Sequence, residues 1–133
     1  ECRVLGGHEP EEALRLGVAC SAWSMAAEYD NQAQCIFGVS PSDDLLEDDA
    51  APWLLSANGI ERHARQVLIG TRAYLSRMQD EYETLANYVH ADHRAAIRYL
   101  KWCGFSFGEA LQYDGERFLP FSWTRAAAMK EAA

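Results

Sequence analysis

His90, Asp92 and His93 crowd into one short stretch, and the His90-x-x-His93 spacing would let two imidazoles share a metal with a third ligand, or let one act as a general base. No third ligand stands at a matching interval, and histidines beside a turn are commonly polar surface. The sequence therefore supports no metal site and no catalytic residue. His63, next to Glu61 and Arg62 in a helical stretch, reads as helix surface. Glu28 and Asp30 close an apolar run, where a carboxylate could be a general base but more often belongs to a turn. Cys2, Cys20, Cys35 and Cys103 include no C-x-x-C pair, which argues against a zinc knuckle or a redox dithiol. Cys35 and Cys103 sit among apolar residues and read as small core hydrophobes. Nothing orients a Ser or Cys nucleophile against a histidine.

A second kind of chemistry is charge. Asp43, Asp44, Glu47, Asp48 and Asp49 gather five carboxylates in one loop, able to hold a cation or meet a basic partner. A solvated loop accounts for them as simply. In the last apolar run, Phe121 and Trp123 would suit either a partner chain or the core. These seven residues are the candidate partner contacts. The formal charge of −8 disfavours a basic face for nucleic acid or an anionic membrane. No apolar run approaches the ~20 residues that span a bilayer.

The elements that must position these residues can be read from periodicity. At 133 residues, 49% hydrophobic and 24% charged, the chain is one domain. The expectation is a domain over residues 1–125 and an Ala-rich tail, a helix or a tag, over 126–133. Pro10, Glu11 and Glu12 suit a helix start, running to about Cys20. Ser21 to Tyr29 and Ala33 to Val39 flank the turn Asp30-Asn31 as a hairpin. Ala51 to Ser56 is a short strand, and Ile60 to about Asp80 a long amphipathic helix. Leu85 to Ala91 is a strand, Asp92 an N-cap, and Gly104 the stop of the next helix. Phe105 to Gln112 and Arg117 to Trp123 are the last strands, with Pro120 fitting an edge or a bulge. A strand-helix-strand unit inside an antiparallel set predicts a mixed α/β fold, mainly antiparallel, with helices on both faces.

This order, with Ala96 and Gly104-Phe105, resembles the C-terminal half of the GNAT acetyltransferase fold, whose signature there is roughly Asn-x-x-Ala-x-x-x-Tyr-x-x-x-Gly-Phe. His93 stands where that pattern has Asn, and Leu100 where it has the Tyr that serves many members as general acid. The resemblance implies a GNAT-like sheet whose first strand and helix would precede Glu1. It also implies a coenzyme A loop at Ser56-Ala57-Asn58-Gly59-Ile60-Glu61-Arg62-His63, with Ser56, Asn58, Gly59 and Arg62 as contacts if acetyl-coenzyme A binds. The family's Gln/Arg-x-x-Gly-x-Gly/Ala pattern is reduced there to one glycine, with Glu61 close to the phosphate position. Within the set, the series Pro10-Glu11-Glu12-Ala13-Leu14, Ile36-Phe37-Gly38-Val39, Pro52-Trp53-Leu54-Leu55 and Leu119-Pro120-Phe121 is similar to small proteins of short-tailed phages, some of them internal virion proteins. That implies a catalytically degenerate component of virion assembly, located in the virion or the host cytoplasm. Its partners would be other virion proteins in an oligomeric assembly, without direct nucleic-acid or membrane contact. An acetyl-coenzyme A-dependent N-acyltransferase and a host-directed inhibitor are the alternatives.

Overall fold

The computed structural model describes residues 10–42 and 48–132. Helix α1 (Pro10–Cys20) leads into strands β1 (Trp23–Tyr29) and β2 (Gln32–Pro41). Strand β3 (Asp49–Ser56), a 3-10 turn (Ile60–His63), helix α2 (Ala64–Glu81) and strand β4 (Thr84–His90) follow. Helix α3 (Arg94–Cys103), strands β5 (Ser106–Phe107), β6 (Leu111–Tyr113) and β7 (Glu116–Thr124), and helix α4 (Arg125–Ala132) complete the chain. The strands form one sheet in the order β1-β2-β3-β4-β7-β5, with β6 also paired to β7. Every pairing is antiparallel except β3 with β4. The expected mixed, mainly antiparallel architecture is the one observed.

Local chemistry explains the joints. Asp30 and Asn31 both have positive φ, 55° and 61°, as a two-residue hairpin turn requires. Alternation along the strands puts Val39, Ala50, Leu85, Val89 and Phe121 on one face, where Met78 of α2 and Phe105 join them in the core. Ile97, Leu100 and Cys103 of α3 pack against the same cluster. Trp53 points to the opposite face and is covered by α1. Its Nε1–H donates to Ser21 Oγ at 2.7 Å, and Ser21 Oγ–H donates to Gly17 O. Gly38 is obligatory on that face, since a β-carbon there would lie 2.6 Å from Trp23 O and 2.9 Å from the Trp53 ring. Helices thus flank both faces. Among the described residues no helix is long and apolar enough to cross a membrane.

Several boundaries differ from the sequence reading, each for a physical reason. Position 92 is not the cap of α3. His93 holds the N-cap without a side-chain capping bond to the helix, and Asp92 contributes its carbonyl to Arg94 N–H at 3.0 Å. Gly104, at φ 99°, does end α3 in a Schellman motif, with Phe105 N–H on Leu100 O and Gly104 N–H on Lys101 O. The segment expected as one strand over 105–112 is broken into β5 and β6. β7 is interior, between β4 and the β5/β6 pair, yet Pro120 tolerates this position. Its carbonyl faces the break, accepting Gly108 N–H at 3.0 Å, so its missing N–H falls where no ladder continues. Strand β3 begins at Asp49 rather than 51, because Asp49 O accepts Ser42 N–H and pairs with Thr84. The C-terminal run is helical, with Thr124 Oγ1 accepting Ala127 N–H at the cap.

Candidate functional site

Ligands in open sheets are held where neighbouring parallel strands part toward their carboxyl ends. Strands β3 and β4 pair only at Asp49↔Thr84 and Ala50↔Leu85 and diverge beyond. Across the opening, Asn87 Nδ2–H donates to Pro52 O at 3.0 Å, while Asn87 Oδ1 accepts the Tyr88 N–H at 2.8 Å. A side-chain amide from β4 therefore occupies the β3 carbonyl nearest the fork. Pro52 contributes no N–H on that edge. The sequence reading gave Asn87 no role, although a primary amide between Leu85 and Val89 in an apolar strand was the available signal.

The loop after β3 carries the residues assigned to a cofactor. Ser56 and Asn58 are exposed, and Gly59 adopts a left-handed conformation with φ 85°. The chain then enters α2 through the 3-10 turn, which consumes two amides internally. Arg62 N–H donates to Gly59 O at 3.1 Å, and Ala64 N–H donates to Glu61 O. The Arg62 guanidinium folds back over the glycine, its Nη2 3.0 Å from where a Gly59 β-carbon would stand. His63 is not helix surface as expected. Its side chain is 13% exposed, and the ring stacks on Tyr29 at 4.9 Å, pinning the loop to the β1–β2 hairpin. Burial raises the Tyr29 phenol above its ordinary range. The loop thus carries one glycine, two amides bonded within the turn, and Glu61 alongside.

Helix α3 carries Leu100 at the position compared with a general acid, and Tyr99 beside it. Leu100 packs into the core beneath the sheet. Tyr99 turns instead toward α2, where its hydroxyl meets Thr71 Oγ1. Thr71 spends its own proton on Val67 O at 2.7 Å, so Tyr99 is the donor. Burial holds the Tyr99 phenol well above its ordinary range, and it remains protonated. His90 is likewise committed. Its Nδ1 accepts the Asp92 N–H at 3.0 Å, which leaves the proton on Nε2 to be donated to Glu116 Oε2 at 2.8 Å. The ring also meets Phe118 edge-on at 5.2 Å. His90 fastens the β4–α3 turn to the β6–β7 hairpin, and its nitrogens are not offered to a metal or substrate. His93 is exposed. Among the described residues no three His, Cys, Asp or Glu side chains converge as a metal site.

The candidate partner residues are scattered. Asp43, Asp44 and Glu47 lie outside the described residues. Asp48 is exposed, but its carbonyl accepts Glu83 N–H and Thr84 N–H at 3.0 and 3.3 Å, tying the closed end of the β3–β4 fork. Asp49 is half-buried at the start of β3. Phe121 is 6% exposed in the core, so the structure corrects its assignment to a partner surface. Trp123 is half-buried and packs against the same core. Pairing registers Phe121 with Asn87 on the face under α2 and α3, which is why it turns inward.

No family model matches the sequence, and no curated protein matches it either. Solved structures do. The chain is similar to Ard1 from Thermoplasma volcanium, with a TM-score of 0.70 at 14% identity over 90% of this chain and 82% of that one. It is similar to an acetyltransferase of the GNAT family from Streptococcus pneumoniae, with a TM-score of 0.65 at 9% identity over 88% and 77%. It is also similar to the aminoglycoside acetyltransferase AAC(6')-Ib solved with coenzyme A, with a TM-score of 0.64 at 14% identity over 87% and 74%. The fold is GNAT-like.

Proposed function

We propose that this chain is a GNAT-fold domain that has lost acetyl transfer and acts through protein-protein contacts, as a component of a phage virion or of its assembly. The observation that carries the loss is the 3-10 turn after Gly59, whose Arg62 and Ala64 amides bond within the turn. Leu100, where the resembling enzymes place an acid, has no proton to give. The virion setting rests on the sequence resemblance to small phage proteins and is the finer part of the proposal. In that setting the loop Asp43, Asp44, Glu47, Asp48 and Asp49 meets a basic partner, and Trp123 lies at the margin of the contact.

Two experiments test the two parts. Incubation with acetyl-coenzyme A and a panel of primary amines is expected to release free thiol no faster than buffer alone. Release that depends on the protein and stops in the Gly59→Val variant would end the non-catalytic reading. Mass spectrometry of purified particles is expected to detect this chain at a fixed copy number. Its absence from particles and assembly intermediates would end the virion reading. Acyl transfer remains the second reading because Arg62 and Arg65 are both exposed beside the α2 N-terminus, where an anion is favoured.

A further inference from the structure

A polar cleft of about 330 Å3 opens between the later turns of α2 and the end of α3, with Arg72, Leu75, Ser76, Gln79 and Trp102 in its walls. That volume is at the lower end of the ~300–1,000 Å3 typical of small-molecule pockets. The cleft lies several turns along α2 from the Gly59 loop and shares no residue with it. Its charge is unusual for this chain. Aspartate and glutamate outnumber lysine and arginine by 20 to 12, yet among the described residues no carboxylate lines the cleft, and the one charged group there is a guanidinium.

That guanidinium is held in place. Arg72 lies 5.0 Å from the centroid of the Trp102 ring, and Tyr99 stacks against the same indole at 6.5 Å with the planes 19° apart. Tyr99 is itself fixed by its bond to Thr71. A guanidinium held over an aromatic ring still has N–H donors to offer, and a flat acceptor can take two of them together. Among the described residues Arg72 makes no ion pair, so these donors are unspent. Trp102, 43% exposed, and Leu75 offer a flat apolar wall, while Ser76 and Gln79 add a hydroxyl and an amide.

We propose that this cleft binds a small planar carboxylate. Arg72 grips the carboxylate through paired N–H donors, the flat body lies along Trp102 and Leu75, and Ser76 and Gln79 bond to polar substituents. The proposal is independent of whether the Gly59 loop holds a cofactor.

Benzoate is the probe, followed through the Trp102 indole N–H and Arg72 Nε–H signals in two-dimensional NMR. Saturable shifts confined to the facing turns of α2 and α3 are expected, with a dissociation constant on the order of 1 mM. Arg72→Gln is expected to weaken binding at least about tenfold, and Arg72→Lys to weaken it as well, since a point charge lacks the fork. Arg72 is exposed, so both variants should retain the native spectrum elsewhere. No saturation by about 20 mM benzoate, equal binding by either variant, or inorganic phosphate binding as tightly as benzoate would each overturn the proposal.

Discussion

Tyr99, Thr71 and Val67 form a chain of hydrogen bonds with a fixed direction, since Thr71 has one proton and gives it to Val67 O. Replacing the donor is therefore cheaper than replacing the acceptor. Tyr99→Phe should cost about 0.5–1.5 kcal/mol, whereas Thr71→Val leaves the half-buried phenol hydroxyl only the Cys103 sulfur as a partner and should cost about 1–3 kcal/mol. Urea denaturation of the two variants checks the order. The cysteines give a second residue-scale expectation. Burial pushes the Cys103 thiol from its ordinary 9.0 up to about 11, the Tyr99 bond opposing the shift, while Cys20 is exposed. At equal pH this lowers the thiolate fraction of Cys103 about 100-fold, so iodoacetamide should label Cys20 long before Cys103 by peptide mapping. The raised value also sets a sign. The unfolded chain gives up this proton first, so the stability from Cys103 is whole below pH 9.0 and is lost as pH rises toward about 11. Thermal melts of the native chain should fall more steeply across that window than those of Cys103→Ala. The burial of Cys103 was legible in its apolar setting. The commitments of His90 and His63 were not, because each depends on a carboxylate or ring brought close only by the sheet.

At the scale of elements, α2 is closed by a residue far along the chain. The Arg125 guanidinium donates to Gln79 O, Asp80 O and Tyr82 O at 3.0, 3.3 and 3.2 Å, and Arg125 N–H donates to Glu83 O at 2.9 Å. These include carbonyls that the last turn of a helix leaves without partners, and a cation is favoured at that end. Arg125→Met should lower stability by about 1–3 kcal/mol, with loss of amide-exchange protection concentrated in the last turn of α2. Gly38 is the corresponding test of the hairpin. Gly38→Ala forces a β-carbon against Trp23 O and the Trp53 ring, and should cost about 1–3 kcal/mol in a denaturant titration. Helices and strands with strong local signals were legible, among them the Asp30-Asn31 turn and the stop at Gly104. The split of β5 from β6 was not, because it depends on which side of β7 the carbonyl of Pro120 faces.

At the scale of the molecule, the mixed sheet followed from one strand-helix-strand unit among hairpins, which explains why topology was readable where individual contacts were not. What the sheet creates is a fork between β3 and β4, bridged by Asn87 to Pro52 and approached by a loop whose amides are partly used up. Asn87→Ala removes the bridge while leaving the ladder at Ala50↔Leu85, and faster amide exchange is expected at Trp53 and Leu55, on the β2 side of the same strand, than in the native chain. The account depends most on the turn from Gly59 to Ala64. Isothermal titration of the native chain with acetyl-coenzyme A tests it directly. No saturable heat at micromolar ligand is expected. A micromolar dissociation constant, with the amide signals of Ile60 to Arg65 shifting as phosphates bind them, would contradict it.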